Sequence, residues 1–261
     1  MESYECYEKA ENYYVLGEYK EALSLFEKSF ELEENNDCLN YIGCCHLMLN
    51  NFDIAIRIFK ELIMLCSNWE RPIFNLGRVY FKLGKFDDAL TCFKKAIDIS
   101  PDSEDAYYYL GVYYYEISDF EKAKEYYRKS LYINNEQSET HLNLGICYFK
   151  LNKYEKAINH FDLANKYDND CIDAIENEGL VYIVMKNYFK ALEKFLTIYN
   201  YEPTNTENMM DVVYCYYKIN DFENAIKWSD KVLLKDPDNR MTKKFQKVIS
   251  TKKEKEKVNN D

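Results

Sequence analysis

Apolar and small residues recur along this chain at offsets of three and four. The segment Asn75-Leu76-Gly77-x-x-Tyr80 returns as Tyr109-Leu110-Gly111-x-x-Tyr114, then as Asn143-Leu144-Gly145-x-x-Tyr148, and in degenerate form as Asn177-Glu178-Gly179-x-x-Tyr182. A second pattern follows each copy: Phe86-x-x-Ala89-x-x-x-Phe93, Phe120-x-x-Ala123-x-x-x-Tyr127, Tyr154-x-x-Ala157-x-x-x-Phe161 and Tyr188-x-x-Ala191-x-x-x-Phe195. Offsets of three and four describe one face of an α-helix, so each copy predicts two helices. Both patterns step by 34 residues, the mark of an array in which each unit buries its apolar face against the next.

This pattern resembles the tetratricopeptide repeat. The resemblance covers nearly the whole chain and implies an all-α, right-handed α-solenoid of seven helix-turn-helix units, here called helix A and helix B of each repeat. In that register the repeats run 3–36, 36–69, 70–103, 104–137, 138–171, 172–205 and 206–239. Ala22, Ala55, Ala89, Ala123, Ala157, Ala191 and Ala225 all stand at position 20. Small residues at positions 8 and 20 are expected where the two helices cross, with large residues at 4, 11, 17 and 24 filling the space around them. Every glycine has a place in this scheme, at position 8 or, for Gly17 and Gly84, in the turn at position 15. Pro101, Pro203 and Pro237 stand at position 32, where proline ends helix B. The pattern weakens at the ends: repeat 7 has Val212-Val213 for Leu-Gly and Ser229 for the position-24 aromatic. Beyond it, Met241, Phe245, Val248 and Ile249 form the face of a capping helix over 240–250, with 251–261 as a charged tail.

Composition narrows the function. With seven Gly and four Pro, and each glycine used by the repeat, none remains for a phosphate-binding loop. The longest run without an acidic or basic residue, Cys38 to Phe52, is too short and too broken by Asn to span a bilayer. The beginning of the chain has neither a basic nor an apolar leader region, which leads us to expect a cytoplasmic protein. The nine cysteines include no CxxC pair and read as reduced core thiols. The net charge of −11 divides into −16 over residues 1–239 and +5 over 240–261, which disfavours nucleic acid and anionic lipid.

No catalytic, metal or cofactor site is expected. His46 and His141 replace large packing residues, and His160 stands at position 23. Cys44, at position 9, should face the groove without a metal-ligating companion. The resemblance implies that helix A positions 2, 5, 6, 9, 12 and 13 line a concave, peptide-binding surface. Asn75, Asn143 and Asn177 at position 6 could hydrogen-bond a peptide main chain, since an amide both donates and accepts, or could simply be inherited. Phe81, Tyr115 and Phe149, with Tyr14 and Tyr217, put an aromatic at position 12, suited equally to binding and to packing. Arg71, Asn75, Arg78 and Lys82 make one stripe on the groove face of repeat 3, where the corresponding residues of repeat 4 are Asp105, Tyr109, Val112 and Glu116. The stripe would take an acidic group of a partner, or pair with Asp105 and Glu116. The two-carboxylate clamp found in some family members is not reproduced here.

These residues point to a scaffold or adaptor that binds a protein or an extended, acidic peptide, and not to an enzyme. The alternatives are a self-assembling structural repeat protein and, further off, an RNA-binding helical repeat. The oligomeric state stays open.

Overall fold

The structure is a computed structural model describing residues 2–169 and 171–260, with side chains through Lys252. It is all helix. The helices are α1 (Ser3–Val15), α2 (Tyr19–Leu32), α3 (Asn36–Met48), α4 (Phe52–Leu65), α5 (Glu70–Lys82), α6 (Phe86–Ile99), α7 (Glu104–Glu116), α8 (Phe120–Ile133), α9 (Ser138–Lys150), α10 (Tyr154–Tyr167), α11 (Ile172–Val184), α12 (Tyr188–Tyr201), α13 (Thr206–Lys218), α14 (Phe222–Lys235) and α15 (Arg240–Asn260). They fall into two compact units, Met1–Asn135 and Glu136–Asp261. In the first, α1/α2, α3/α4, α5/α6 and α7/α8 form four hairpins, each packed on the next through its second helix. In the second, α9/α10, α11/α12 and α13/α14 form three more, and α15 packs on α14.

The turn inside each hairpin reverses the chain through one left-handed residue. Gly17 and Gly84 adopt it at φ 80° and 70°, but Asn50, Ser118, Asn152, Lys186 and Asn220 adopt it too. The left-handed residue lets the next amide reach back, as Lys85 N does to Tyr80 O at 2.9 Å, satisfying carbonyls that a helix end leaves open. Asp119, Asn187 and Asp221 then cap the start of the second helix with their side chains.

The seat of each helical glycine is set by one ring. A Cβ at Gly111 would lie 2.5 Å from the ring of Tyr127, and one at Gly179 2.9 Å from Phe195, with Gly43, Gly77 and Gly145 alike against Phe59, Phe93 and Phe161. The close neighbour of position 8 is thus the ring at position 24, not only the alanine at 20. Repeat 7 inverts this pair: Val213 fills the glycine's place and the ring's place is taken by Ser229, both fully buried. The departure that the sequence shows there is an exchange of volume across one contact.

The final helix also corrects the expected face. Met241 and Val248 are 75% and 50% exposed, whereas Ile249 is fully buried. Thr242, Phe245 and Ile249 are the residues that pack: Thr242 Oγ1 lies 3.1 Å from Met210 Sδ, and the Phe245 ring meets Tyr217 edge-on at 5.2 Å. The offsets i, i+3 and i+7 turn α15 by about one residue from the face the apolar pattern suggested. The backbone continues as helix to Asn260 instead of ending near 250. The side chains of the charged tail from 253 onward, and Asp261, lie outside the described residues.

Candidate functional site

In the first unit, α3, α5 and α7 wall a cavity of about 380 Å³. Asn40 and Cys44 of α3, Arg71, Asn75 and Arg78 of α5, and Asp105 of α7 line it. The arginine stripe therefore does face a concave polar space, but its members differ in what they can do there.

Arg78 is committed to the fold. Its Nε donates to the Tyr109 hydroxyl at 3.2 Å, its Nη1 to Asn75 Oδ1 at 3.2 Å, and its Nη2 approaches Met48 Sδ at 3.9 Å. The guanidinium also stands over the rings of Phe74 and Tyr109, 5.9 and 5.7 Å from their centroids. Asn75 passes the chain on, donating from Nδ2 to Asn40 Oδ1 at 3.1 Å. Both asparagines are buried. Burial pushes the Tyr14 phenol up while the Arg78 charge pulls it back, so this guanidinium acts on all four repeats of the unit. Asn75 is thereby spent on a neighbouring repeat, and Asn40, one position out of the asparagine column, is the partner that sequence reasoning missed.

Arg71 is different. It is exposed at the mouth of the cavity, and among the described residues neither it, Arg78 nor Lys82 forms an ion pair with Asp105 or Glu116. Asp105 nevertheless shares the space. Crowding by protein atoms raises its carboxyl above the usual range, Glu104 adds to this, and Arg78 and Arg71 oppose it. Glu70, Asp102 and Glu104 complete an acidic rim, again outside the residues singled out from sequence. Cys44 touches the cavity, yet it is buried, and that burial pushes its thiol up to about 11. It is a poor nucleophile at neutral pH.

Phe81, Lys82 and Tyr115 do not line the cavity. The position-12 aromatics each meet the position-17 aromatic of their own repeat: Phe81 on Phe86 at 5.2 Å, Tyr115 on Phe120 at 5.5 Å, Phe149 on Tyr154 at 6.0 Å, with Tyr14 on Tyr19 and Tyr217 on Phe222 alike. Those contacts bridge the A–B turn, so each of these rings packs within its own repeat. Phe81 also touches Tyr109 edge-on at 6.4 Å.

Asn143, Phe149 and Asn177 belong to the second unit. Asn143 is half-buried on α9, and Asn177 donates to the Asp173 carbonyl of its own helix at 2.8 Å. The helix A faces of repeats 6 and 7 are acidic. Burial, then Glu176 and Glu207, push the Asp211 carboxyl up to about 6. The same unit holds a histidine pair absent from the sequence-level picture. His141 Nδ1 lies 3.0 Å from His160 Nδ1, and the stacked rings are flanked by Tyr167 and Tyr148. Repeat 4 stacks Tyr107, Tyr126 and Tyr114 at the equivalent positions, so the histidines occupy a packing stack of the repeat. Among the described residues no group of three or more His, Cys, Asp or Glu side chains could hold a metal, and no helix is long and apolar enough to cross a membrane.

Comparison with known families and structures places this geometry. Residues 77–118 match a family described as TPR repeat, and residues 104–136 and 138–164 match families described as tetratricopeptide repeat. A thermophilic TPR protein of Thermus thermophilus superposes with a TM-score of 0.62 at 18% identity, covering 69% of this chain and 99% of its own. YrrB, described as a TPR protein with an unusual peptide-binding site, gives 0.64 at 20%, covering 72% and 97%. PilF of Pseudomonas aeruginosa gives 0.65 at 17%, covering 77% and 92%. No curated protein matches the chain by sequence. At these identities the likeness is one of fold.

Proposed function

Because this chain is a tetratricopeptide-repeat protein, we propose that it serves as a protein-binding scaffold. In this reading an extended segment of the partner lies in the first unit's cavity and sets a carboxylate on Arg71. The observation that carries the reading is the contrast between the two arginines: Arg78 is held by Tyr109 and Asn75, while Arg71 presents a guanidinium at the cavity mouth without an ion pair among the described residues. A planar guanidinium at the edge of a polar hollow suits bidentate capture of a carboxylate. The peptide-binding site of YrrB supports the same class of partner. Asn143 and Asn177 are proposed as main-chain contacts on the second unit, subordinate to Arg71.

Affinity capture tests this. Partners retained by the wild-type chain should be lost on Arg71→Glu and kept by Lys95→Glu, a reversal at an exposed site of α6 away from the cavity. Calorimetry with an identified partner should then show Arg71→Glu weakening binding by about 2–5 kcal/mol if the contact is buried. Unchanged capture would move the interface off this face.

A further inference from the structure

The charge around Arg71 is the reverse of what an acidic partner alone would want. Four carboxylates, Glu70, Asp102, Glu104 and Asp105, line the same cavity, and none of them forms an ion pair among the described residues. The cations present are Arg71 and Arg78, and the guanidinium of Arg78 is already occupied by Tyr109, Asn75 and Met48. One available cation is thus set among four anions. A segment bearing only carboxylates would satisfy Arg71 and press its remaining charge against the rim. Like charges brought together at close range along the wall of a cavity repel, and more strongly than in bulk water because protein replaces part of the solvent between them.

We propose that the cavity selects a mixed-charge segment, one acidic side chain for Arg71 flanked by lysine or arginine for the Asp105 side of the cavity. This rests on the docking face proposed above and adds the charge pattern of what docks there. Arg71 lies on α5 and Asp105 on α7, the first helices of consecutive repeats. The two helices meet through Arg78 on the Tyr109 hydroxyl and through the Phe74 and Tyr109 rings at 5.4 Å. Helices in side-chain contact are roughly 8–10 Å apart, and an extended chain advances about 3.3 Å per residue. The cation is therefore expected roughly two to three residues from the carboxylate. The acidic rim also works as a filter, because it repels the all-acidic segments that Arg71 alone would accept.

The test uses the full chain and synthetic fluorescent decapeptides on a Gly/Ser background, read by anisotropy at fixed ionic strength. One series carries a Glu with a Lys pair two to three residues away; the others carry Glu only, Lys only, or no charge. The mixed peptides should bind at least about tenfold tighter than either single-sign series. Arg71→Glu should erase the advantage of the Glu, and Asp105→Lys that of the Lys pair, with circular dichroism unchanged for both exposed-site variants. Glu-only peptides that bind as tightly as mixed ones, and lose binding on Arg71→Glu, would overturn the charge pattern while leaving the docking face intact. Lys-only peptides binding equally, indifferent to Arg71→Glu, would overturn the pattern and the role of Arg71. No measurable binding in any series would overturn both.

Discussion

Arg78 donates from Nε to the hydroxyl of Tyr109 at 3.2 Å, tying the third repeat to the fourth across the inner face of the first unit. Arg78→Met removes that donor and the one held by Asn75, leaving two acceptors of a half-buried network without a partner. The expected loss is about 2–4 kcal/mol. Arg71→Met, seven residues away on the same helix, should change stability by no more than about 0.5 kcal/mol. Urea midpoints of the two variants would separate them, and equal losses would mean that Arg71 is a fold residue as well.

The glycine–ring contact predicts a coupled pair in repeat 7. Ser229→Phe alone brings a ring against Val213 and should cost about 1–3 kcal/mol by overpacking. Adding Val213→Gly should return much of that loss, because it restores the arrangement of Gly111 and Tyr127. A double-mutant cycle with no coupling energy would show that positions 8 and 24 do not trade volume here. Gly111→Leu, at the intact contact, should cost about 1–3 kcal/mol or more.

Stability should depend on pH through the acidic face of the second unit. Asp211 is raised from its ordinary value to about 6 by burial and by Glu176 and Glu207, and Glu176 is raised by burial, then by Asp173, Glu207 and Glu202. From about pH 4 to 6 the Asp211 carboxyl of the folded state holds a proton that the unfolded chain has released, and Glu176 shifts in the same direction. Stability contributed by these groups is therefore lost as pH rises through that window, and the penalty is complete above it. Asp211→Asn is expected to stabilise the chain by about 1–2 kcal/mol at pH 7.5 and to have little effect near pH 4. Chemical denaturation of both proteins at the two pH values checks this; a gain independent of pH would assign it to packing.

For α15 the packed face, not the apolar composition, decides the outcome. Ile249→Asp buries a carboxylate in the apolar core of the second unit that also holds Trp228 and Val232 and should cost about 2–4 kcal/mol, whereas Met241→Asp should stay within about 0.5 kcal/mol. Removing residues 240–261 should promote association by uncovering the seat of Phe245 and Ile249. Removing 251–261 should do little. A monomeric, equally stable chain ending at 239 would refute the capping role.

The helical pairs were legible in the sequence because they rest on local information. An apolar face recurs at offsets of three and four, Ala stands at position 20 of every repeat, and proline closes helix B in three of them. Such signals need only the helical period. The left-handed turn was half legible: glycine marks it in two repeats, while Asn, Ser and Lys accept the same φ in the other five without a distinctive residue.

The site was legible as a face and not as a set of roles. Helical spacing placed Arg71, Asn75 and Arg78 together, because i, i+4 and i+7 share one side of α5. Which arginine is spent and which remains available depends on Tyr109, 31 residues beyond Arg78, and on Asn40, 35 residues before Asn75. The same holds for the histidines that meet 19 residues apart and for the rotation of α15 onto Ile249. A sequence period specifies the side of a helix from which a residue projects. The partner its polar atoms find is decided by the contacts of neighbouring helices, and those exist only once the repeats have packed.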